Sequence, residues 1–193
     1  MITSNETDAK VSLEKKVAFV TVGTTEFDQL IEAIDNHDFL TCLRRNCFSQ
    51  LKVQIGRGTY KPRLLGRDGD GDRDRDVVTT VFRFKDDLVN EISSSDMIIS
   101  HCGAGTILET VTLGKKLLVV VNTSLQGNHQ SELADALVDG GYCPATYPST
   151  TKLIENIEKL MESDSDVVER KKTHKLFPIN NPDLFSSVLD SYL

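Results

Sequence analysis

Five short runs of apolar and β-branched residues recur along the chain, at Lys16–Val22, Leu51–Ile55, Val77–Phe84, Met97–Ser100 and Leu117–Val121. Most lack the polar alternation that marks a sheet with one wet face, so they read as strands buried on both sides. Helical spacing fills most of the gaps. Phe27, Leu30, Ile31 and Ile34 follow the first run, Asp86 to Ser95 the third and Ile107 to Leu113 the fourth. After the fifth comes His129 to Val138, with Leu133, Ala134, Leu137 and Val138 on one face. Strand then helix, repeated over about 150 residues, predicts an α/β fold, Rossmann-like, with a mainly parallel sheet and ligands at the carboxyl ends of the strands. Tyr142 to Thr146 offers a last strand, and Leu153, Ile154, Ile157, Leu160 and Met161 a further amphipathic helix.

The length of 193 residues holds one domain with an appendage. The divisions expected are a polar segment over 1–15, an α/β domain over 16–178 and a C-terminal helix over 179–193. That helix opens on Asn181 and Pro182, a cap and first-turn pair, and carries Leu184, Phe185, Val188, Leu189, Tyr192 and Leu193 at helical spacing. Residues 66–76 alternate acidic, basic and glycine residues without one apolar side chain, which predicts a solvated loop.

Charge and cysteine usage exclude several classes. A net charge of -7 opposes the counterion release on which a nucleic-acid groove depends, so no nucleic-acid partner is expected. No apolar run approaches the roughly 20 residues of a membrane span, and Met1 to Lys10 lacks the apolar centre of a signal peptide. A soluble, cytoplasmic chain is expected. Cys42, Cys47, Cys102 and Cys143 show neither CxxC pairing nor metal-ligand spacing with the histidines, which predicts reduced thiols, no metal and no cofactor.

The stretch from Ser100 to Glu109 is the most informative. Gly103 and Gly105 sit where a strand passes into a helix, so they permit a tight turn and a close backbone approach, with free N–H groups at the helix start. Such a turn cradles phosphate, the helix dipole adds partial positive charge, and Thr106 supplies a hydroxyl. Glu109, one turn on, suits the two hydroxyls of a ribose. No lysine follows the glycines, which excludes a Walker loop, and the longer GxGxxG spacing is absent. The bland alternative makes His101 a strand cap and Glu109 a solvated helix residue. Thr25 and Asp28 suggest a capping box for the first helix, placing Gly23 and Thr24 against its start.

These residues resemble the nucleotide-sugar signature of glycosyltransferases built from two facing Rossmann-like halves, the GT-B arrangement. The likeness extends to Asn128, His129 and Gln130, similar to the pair that grips the donor sugar, and to Gly23, Thr24 and Thr25. Phe19 to Thr25, Val53 to Gly58, Ile99 to Thr106 and the helix after Phe177 and Pro178 are similar to the small catalytic subunits of the UDP-N-acetylglucosamine transferase of dolichol-linked oligosaccharide synthesis, with glycosyltransferase family 28 C-terminal domains.

That resemblance implies a donor-binding half. Gly103, Ala104, Gly105 and Thr106 would hold the diphosphate with His101 beside them as a leaving-group stabiliser, and Gly23 and Thr24 would approach from the other side. Glu109 would take the ribose, and Asn128, His129 and Gln130 the N-acetylglucosamine. It implies inverting transfer from UDP-N-acetylglucosamine to a lipid-linked acceptor, N-acetylglucosaminyl-diphosphodolichol. It also implies a membrane-anchored acceptor-half subunit that holds the chain at the cytosolic face of the endoplasmic reticulum. A noncatalytic nucleotide-sugar-binding or scaffold subunit is the alternative. Gly114, Lys115 and Lys116 depart from the family pattern.

Asp68, Asp70 and Asp72 suggest two metal motifs. A calcium loop counted from Asp68 fails, with Arg73 and Thr79 where glycine and glutamate belong, and a metal-binding Asp-x-Asp would end a strand rather than sit in a charged run. Cys102 reads as a packing residue, and Arg57 is open between cleft and surface.

Overall fold

Alternate residues of each central strand are buried on opposite faces, which forces helices onto both sides of the sheet. In β1 (Lys16–Thr21), Ala18 and Val20 face one layer and Phe19 the other. In β4 (Met97–His101), Met97 and Ile99 oppose Ile98, and in β5 (Lys116–Val120), Leu118 and Val120 oppose Leu117 and Val119. The computed structural model describes residues 15–66, 77–123 and 129–162. With β2 (Phe48–Gln54), β3 (Val78–Phe82) and β6 (Ala145–Thr146), these strands form one parallel sheet in the order β3-β2-β1-β4-β5-β6.

One layer consists of α1 (Asp28–Ile34), α2 (His37–Arg45) and α6 (Thr150–Glu162), docked through Leu30, Ile31, Phe39, Leu43, Leu153 and Ile157. The other consists of α3 (Leu88–Ser93), α4 (Ala104–Thr112) and α5 (His129–Asp139), docked through Ile92, Ile107, Leu133 and Leu137. Each such side chain, once buried, contributes roughly 1.5–3 kcal/mol. Strand order reverses between β1 and β4, and this pair defines the switch point at which ligands bind in open α/β sheets.

Some elements differ from the sequence expectation. The helix α2 was not anticipated, because Phe39, Cys42 and Leu43 are its only fully buried side chains and charged residues surround them. The last strand shortens to two residues, and the third helix to Leu88–Ser93, where the Asp87 carboxylate accepts from the Asn90 N–H at 3.1 Å. The capping box at Thr25 and Asp28 does not form. Phe27 occupies the cap position of α1, and the Thr25 hydroxyl donates to the Val22 carbonyl at 2.8 Å. Asp28 instead accepts from the Thr59 N–H, the Thr59 hydroxyl and the Tyr60 N–H at 2.8–2.9 Å. The charged run from 67 to 76, the polar start and the C-terminal helix lie outside the described residues.

Cys47, between α2 and β2, is exposed and holds a left-handed backbone with φ 65°, whereas Cys42, Cys102 and Cys143 are buried and none forms a disulfide. On the second layer, Glu91 is paired with Lys52 at 2.8 Å and with Lys85, which fastens the turn after β3 to α3. Burial raises the Glu91 pKa, but the two lysines outweigh it and leave the carboxyl below its ordinary value.

Asp35, just after α1, clamps the loop that follows β2. Its carboxylate accepts from the N–H groups of Arg63, Leu64 and Leu65 at 2.6, 2.8 and 3.0 Å, and from the Tyr60 hydroxyl at 2.9 Å. Partial burial pushes its pKa up, yet these bonds together hold it below the ordinary aspartate value. Asp35→Ala should therefore destabilise the fold by about 2 kcal/mol near neutral pH, read by urea unfolding. Because the folded pKa is depressed, this contribution is complete above the unfolded value near 3.9 and is lost as pH falls through the folded one. The gap between wild type and variant should narrow at about pH 3 relative to about pH 7; an equal gap at both would contradict the clamp.

Candidate functional site

The turns that leave β1 and β4 lie side by side, since Thr21 pairs with Ser100 across the two parallel strands. His101 ends β4 and is 7% exposed, its imidazole packed between the backbones of the two turns. Gly23 has a left-handed φ of 62°, and a Cβ there would stand 2.7 Å from the His101 Cε1. At Gly103 an added Cβ would collide with the same ring. Both glycines are thus required by the bulk of one histidine. The Gly23 N–H donates to the Thr21 hydroxyl oxygen at 3.0 Å, and that hydroxyl donates to Gln54 Oε1 at 2.5 Å, tying the turn to β2. Thr24, next in the turn, is exposed.

Burial pushes the His101 pKa below the ordinary histidine value, with the neighbouring Thr21 carbonyl pulling weakly the other way. No hydrogen bond of good geometry closes on its buried Nδ1. The imidazole is therefore neutral at neutral pH, a packing group that can also exchange hydrogen bonds but carries no charge.

Immediately beyond the ring, α4 begins at Ala104, with Gly103 as its extended cap residue and no side-chain cap. This is earlier than the sequence spacing suggests, so Gly105 and Thr106 lie inside the first turn. The N–H groups of Ala104, Gly105 and Thr106 have no acceptor within the helix, and no acidic residue occupies the first turn. Gly105 is exposed, and a Cβ there would meet nothing within 4 Å. Thr106 is largely buried, and its carbonyl accepts from the Thr110 hydroxyl at 2.7 Å. Glu109 is half-exposed on the next turn. An uncapped helix start with open space at a glycine suits an anion approaching the backbone.

Gln130, in the first turn of α5, joins the same rim. Its backbone carbonyl accepts from the Cys102 thiol at 3.2 Å, and its Oε1 from the Asn122 N–H at 3.2 Å. Asn122, just past β5 and 3% exposed, donates from Nδ2 to the Glu26 carbonyl at 3.1 Å. The turns after β1, β4 and β5 are thereby laced together. No motif in the sequence marks Asn122. Asn128 lies outside the described residues, and His129 opens α5 without a described side chain.

Other sequence candidates fall aside. Cys102 packs in the second layer, and burial pushes its thiol up to about 12, so it serves as a proton donor and not as a nucleophile. Arg57 is an exposed side chain on the loop after β2, its N–H donating to the Thr25 carbonyl at 3.0 Å. Asp68 to Asp72 lie outside the described residues, among which no group of three or more metal-ligating side chains occurs. A cavity of about 260 Å³ lies at the opposite rim, where β6 begins and α6 ends. Its lining includes Val138, Cys143, Lys159 and Leu160 and offers no acid–base pair.

Comparison with known proteins decides the family. The glycosyltransferase family 28 C-terminal domain matches residues 17–181. The chain belongs to that family. It is 41% identical over 145 residues to the human UDP-N-acetylglucosamine transferase subunit ALG13, covering 72% of this chain and 12% of the human protein. The chain thus spans about an eighth of that relative. The subunit of the same name from Candida glabrata is 34% identical over 174 residues, covering 76% of this chain and 88% of that protein. The solution structure of ALG13 superposes with a TM-score of 0.63 at 26% identity, over 92% of this chain and 96% of that one. Two larger solved glycosyltransferases, at 18% and 16% identity and TM-scores of 0.57 and 0.58, share the fold. This family 28 chain covers 43% and 44% of their lengths.

Two glycine variants separate ring packing from ligand access. Gly23→Ala should lower the melting temperature, because it combines a left-handed φ with a clash against His101, costing on the order of 1–3 kcal/mol. Gly105→Ala should leave the protein as stable or more so, since alanine is the better helix former by about 1 kcal/mol, yet weaken binding of a nucleoside diphosphate. Thermal unfolding with and without UDP reads both, and undiminished UDP stabilisation of the Gly105 variant would remove the anion from this turn.

Proposed function

We propose that this rim binds UDP-N-acetylglucosamine and that the chain is the catalytic, donor-binding half of a heteromeric glycosyltransferase. The observation that carries the reading is the open first turn of α4 beside the buried, neutral His101, at the switch point of a family 28 chain. The diphosphate would lie along Ala104, Gly105 and Thr106, with Gly103 and His101 beneath it and Gly23 and Thr24 opposite. Glu109 would accept from the ribose hydroxyls, and Asn128, His129 and Gln130 would hold the sugar. The relatives' description as UDP-N-acetylglucosamine transferase subunits supports the choice of donor.

Transfer would proceed with inversion, the acceptor hydroxyl attacking the anomeric carbon as UDP departs toward the helix start. Fixed N–H dipoles stabilise the charge that grows on the diphosphate, without reorganisation at the moment of reaction. Transfer also needs an acceptor half and a base to assist the attacking hydroxyl, both assigned here to a partner.

The acceptor we assign is N-acetylglucosaminyl-diphosphodolichol. Among the described residues no helix is long and apolar enough to cross a membrane. A membrane-anchored partner would bring the chain to the cytosolic face of the endoplasmic reticulum. Labelled UDP-N-acetylglucosamine, incubated with a lipid-diphosphate-linked N-acetylglucosamine and the chain, should give transfer with the membrane partner present and nearly none without it. Glu109→Ala should cost on the order of 1.5–3 kcal/mol of donor affinity by calorimetry, and unchanged binding would withdraw the ribose assignment. Full transfer by the isolated chain would overturn the two-subunit reading.

A further inference from the structure

The laced turns around Asn122 carry a consequence for sugar recognition. A main-chain N–H can only donate, so the Gln130 side-chain atom that meets the Asn122 N–H at 3.2 Å must be the carbonyl oxygen. The Gln130 amide is thereby fixed in one of its two orientations, with its NH₂ turned away from Asn122. The backbone of Gln130 is held separately by the Cys102 thiol at 3.2 Å. The strand end that presents the Asn122 N–H is held on one side by the Val121 N–H, which donates to the Thr146 carbonyl at 2.8 Å. On the other it is secured by the Asn122 side chain, whose Nδ2 donates to the Glu26 carbonyl at 3.1 Å across 96 positions of sequence. Asn122 is 3% exposed, so this bond is made away from bulk water, where losing a partner is costly.

We infer that Asn122 is a positioning residue for sugar recognition: through the Glu26 tether it sets the Gln130 amide as a hydrogen-bond donor toward an acceptor oxygen of the bound sugar. The inference rests on the proposed donor site and adds to it a residue that itself touches no substrate. It predicts a division within the ligand, because Gln130 is assigned to the sugar and not to the nucleotide. Loss of the tether should weaken UDP-N-acetylglucosamine and spare UDP, whereas a general structural role would weaken both.

The test uses the full chain isolated with its natural partners and compares the KM for UDP-N-acetylglucosamine with the inhibition constant of UDP. Asn122→Leu preserves neutrality and approximate volume while removing the donor. It should raise the KM for the sugar nucleotide about tenfold and leave UDP inhibition within about twofold. In a Gln130→Met background the same substitution should add nothing, since a residue that acts through Gln130 has no route left. Equal weakening of both ligands, no weakening of either, or additive effects in the double variant would overturn the proposal.

Hydrogen exchange provides a measurement independent of whether Asn122→Leu folds. The Asn122 main-chain amide should be protected in the wild type and lose that protection in Gln130→Ala, and protection that survives would overturn the proposal. If the wild type binds neither ligand, the donor-site reading itself falls, a result distinct from any failure confined to the variants.

Discussion

Because β1 and β4 are neighbours that send their helices to opposite faces, neither α1 nor α4 folds back over the carboxyl ends of the pair. Everything at the candidate site depends on that divergence. The gap exposes the start of α4 and brings residues far apart in sequence, such as Gly23 and Gly103, within reach of one side chain. After β2, the described part of the loop is fastened to the start and end of α1 by Asp28 and Asp35. The rim between the β1 and β4 turns stays open over the start of α4.

Within the gap, His101 replaces the side chains that two ordinary residues would have supplied. Its ring fills the space above Gly23 and Gly103, and burial keeps it uncharged, so the positive end of the site comes from oriented backbone dipoles. A fixed dipole has little to gain from moving, whereas a charged imidazole would have needed a buried counter-ion. This arrangement also explains why the two glycines are not interchangeable with Gly105. The first two make room for protein, and the third leaves room for something else.

Much of the fold was legible because double burial writes itself into sequence as apolar runs, as it does in β1, β4 and β5. By contrast β2, with Ser49, Gln50 and Lys52 among its apolar residues, and β3, none of whose residues is buried, showed themselves by β-branched and apolar content alone. The short helix α2 did not, since a two-turn element buries few residues and surrounds them with charges. Local rules misled at Thr25 and Asp28, where the spacing fits a capping box but the carboxylate is claimed by Thr59 and Tyr60, over 30 positions away. The glycine-rich turn was legible as a helix start, with Gly103 two residues from the His101 ring it accommodates, whereas the reason for Gly23, the same ring reaching across from β4, is tertiary. Asn122 was invisible, because its partners Gln130 and Glu26 are joined to it only by the folded chain.

The contrast among the four cysteines has a practical side. Burial holds Cys42 at about 11 and both Cys102 and Cys143 at about 12, so these thiols stay protonated and shielded from alkylating reagents in ordinary buffers. Cys47 is exposed and stands where β2 begins, at the end of the sheet away from the switch-point turns. Among the cysteines it is thus the accessible attachment point for a fluorophore or spin label, and nature has placed it where a reporter would ride on the scaffold without entering the crevice.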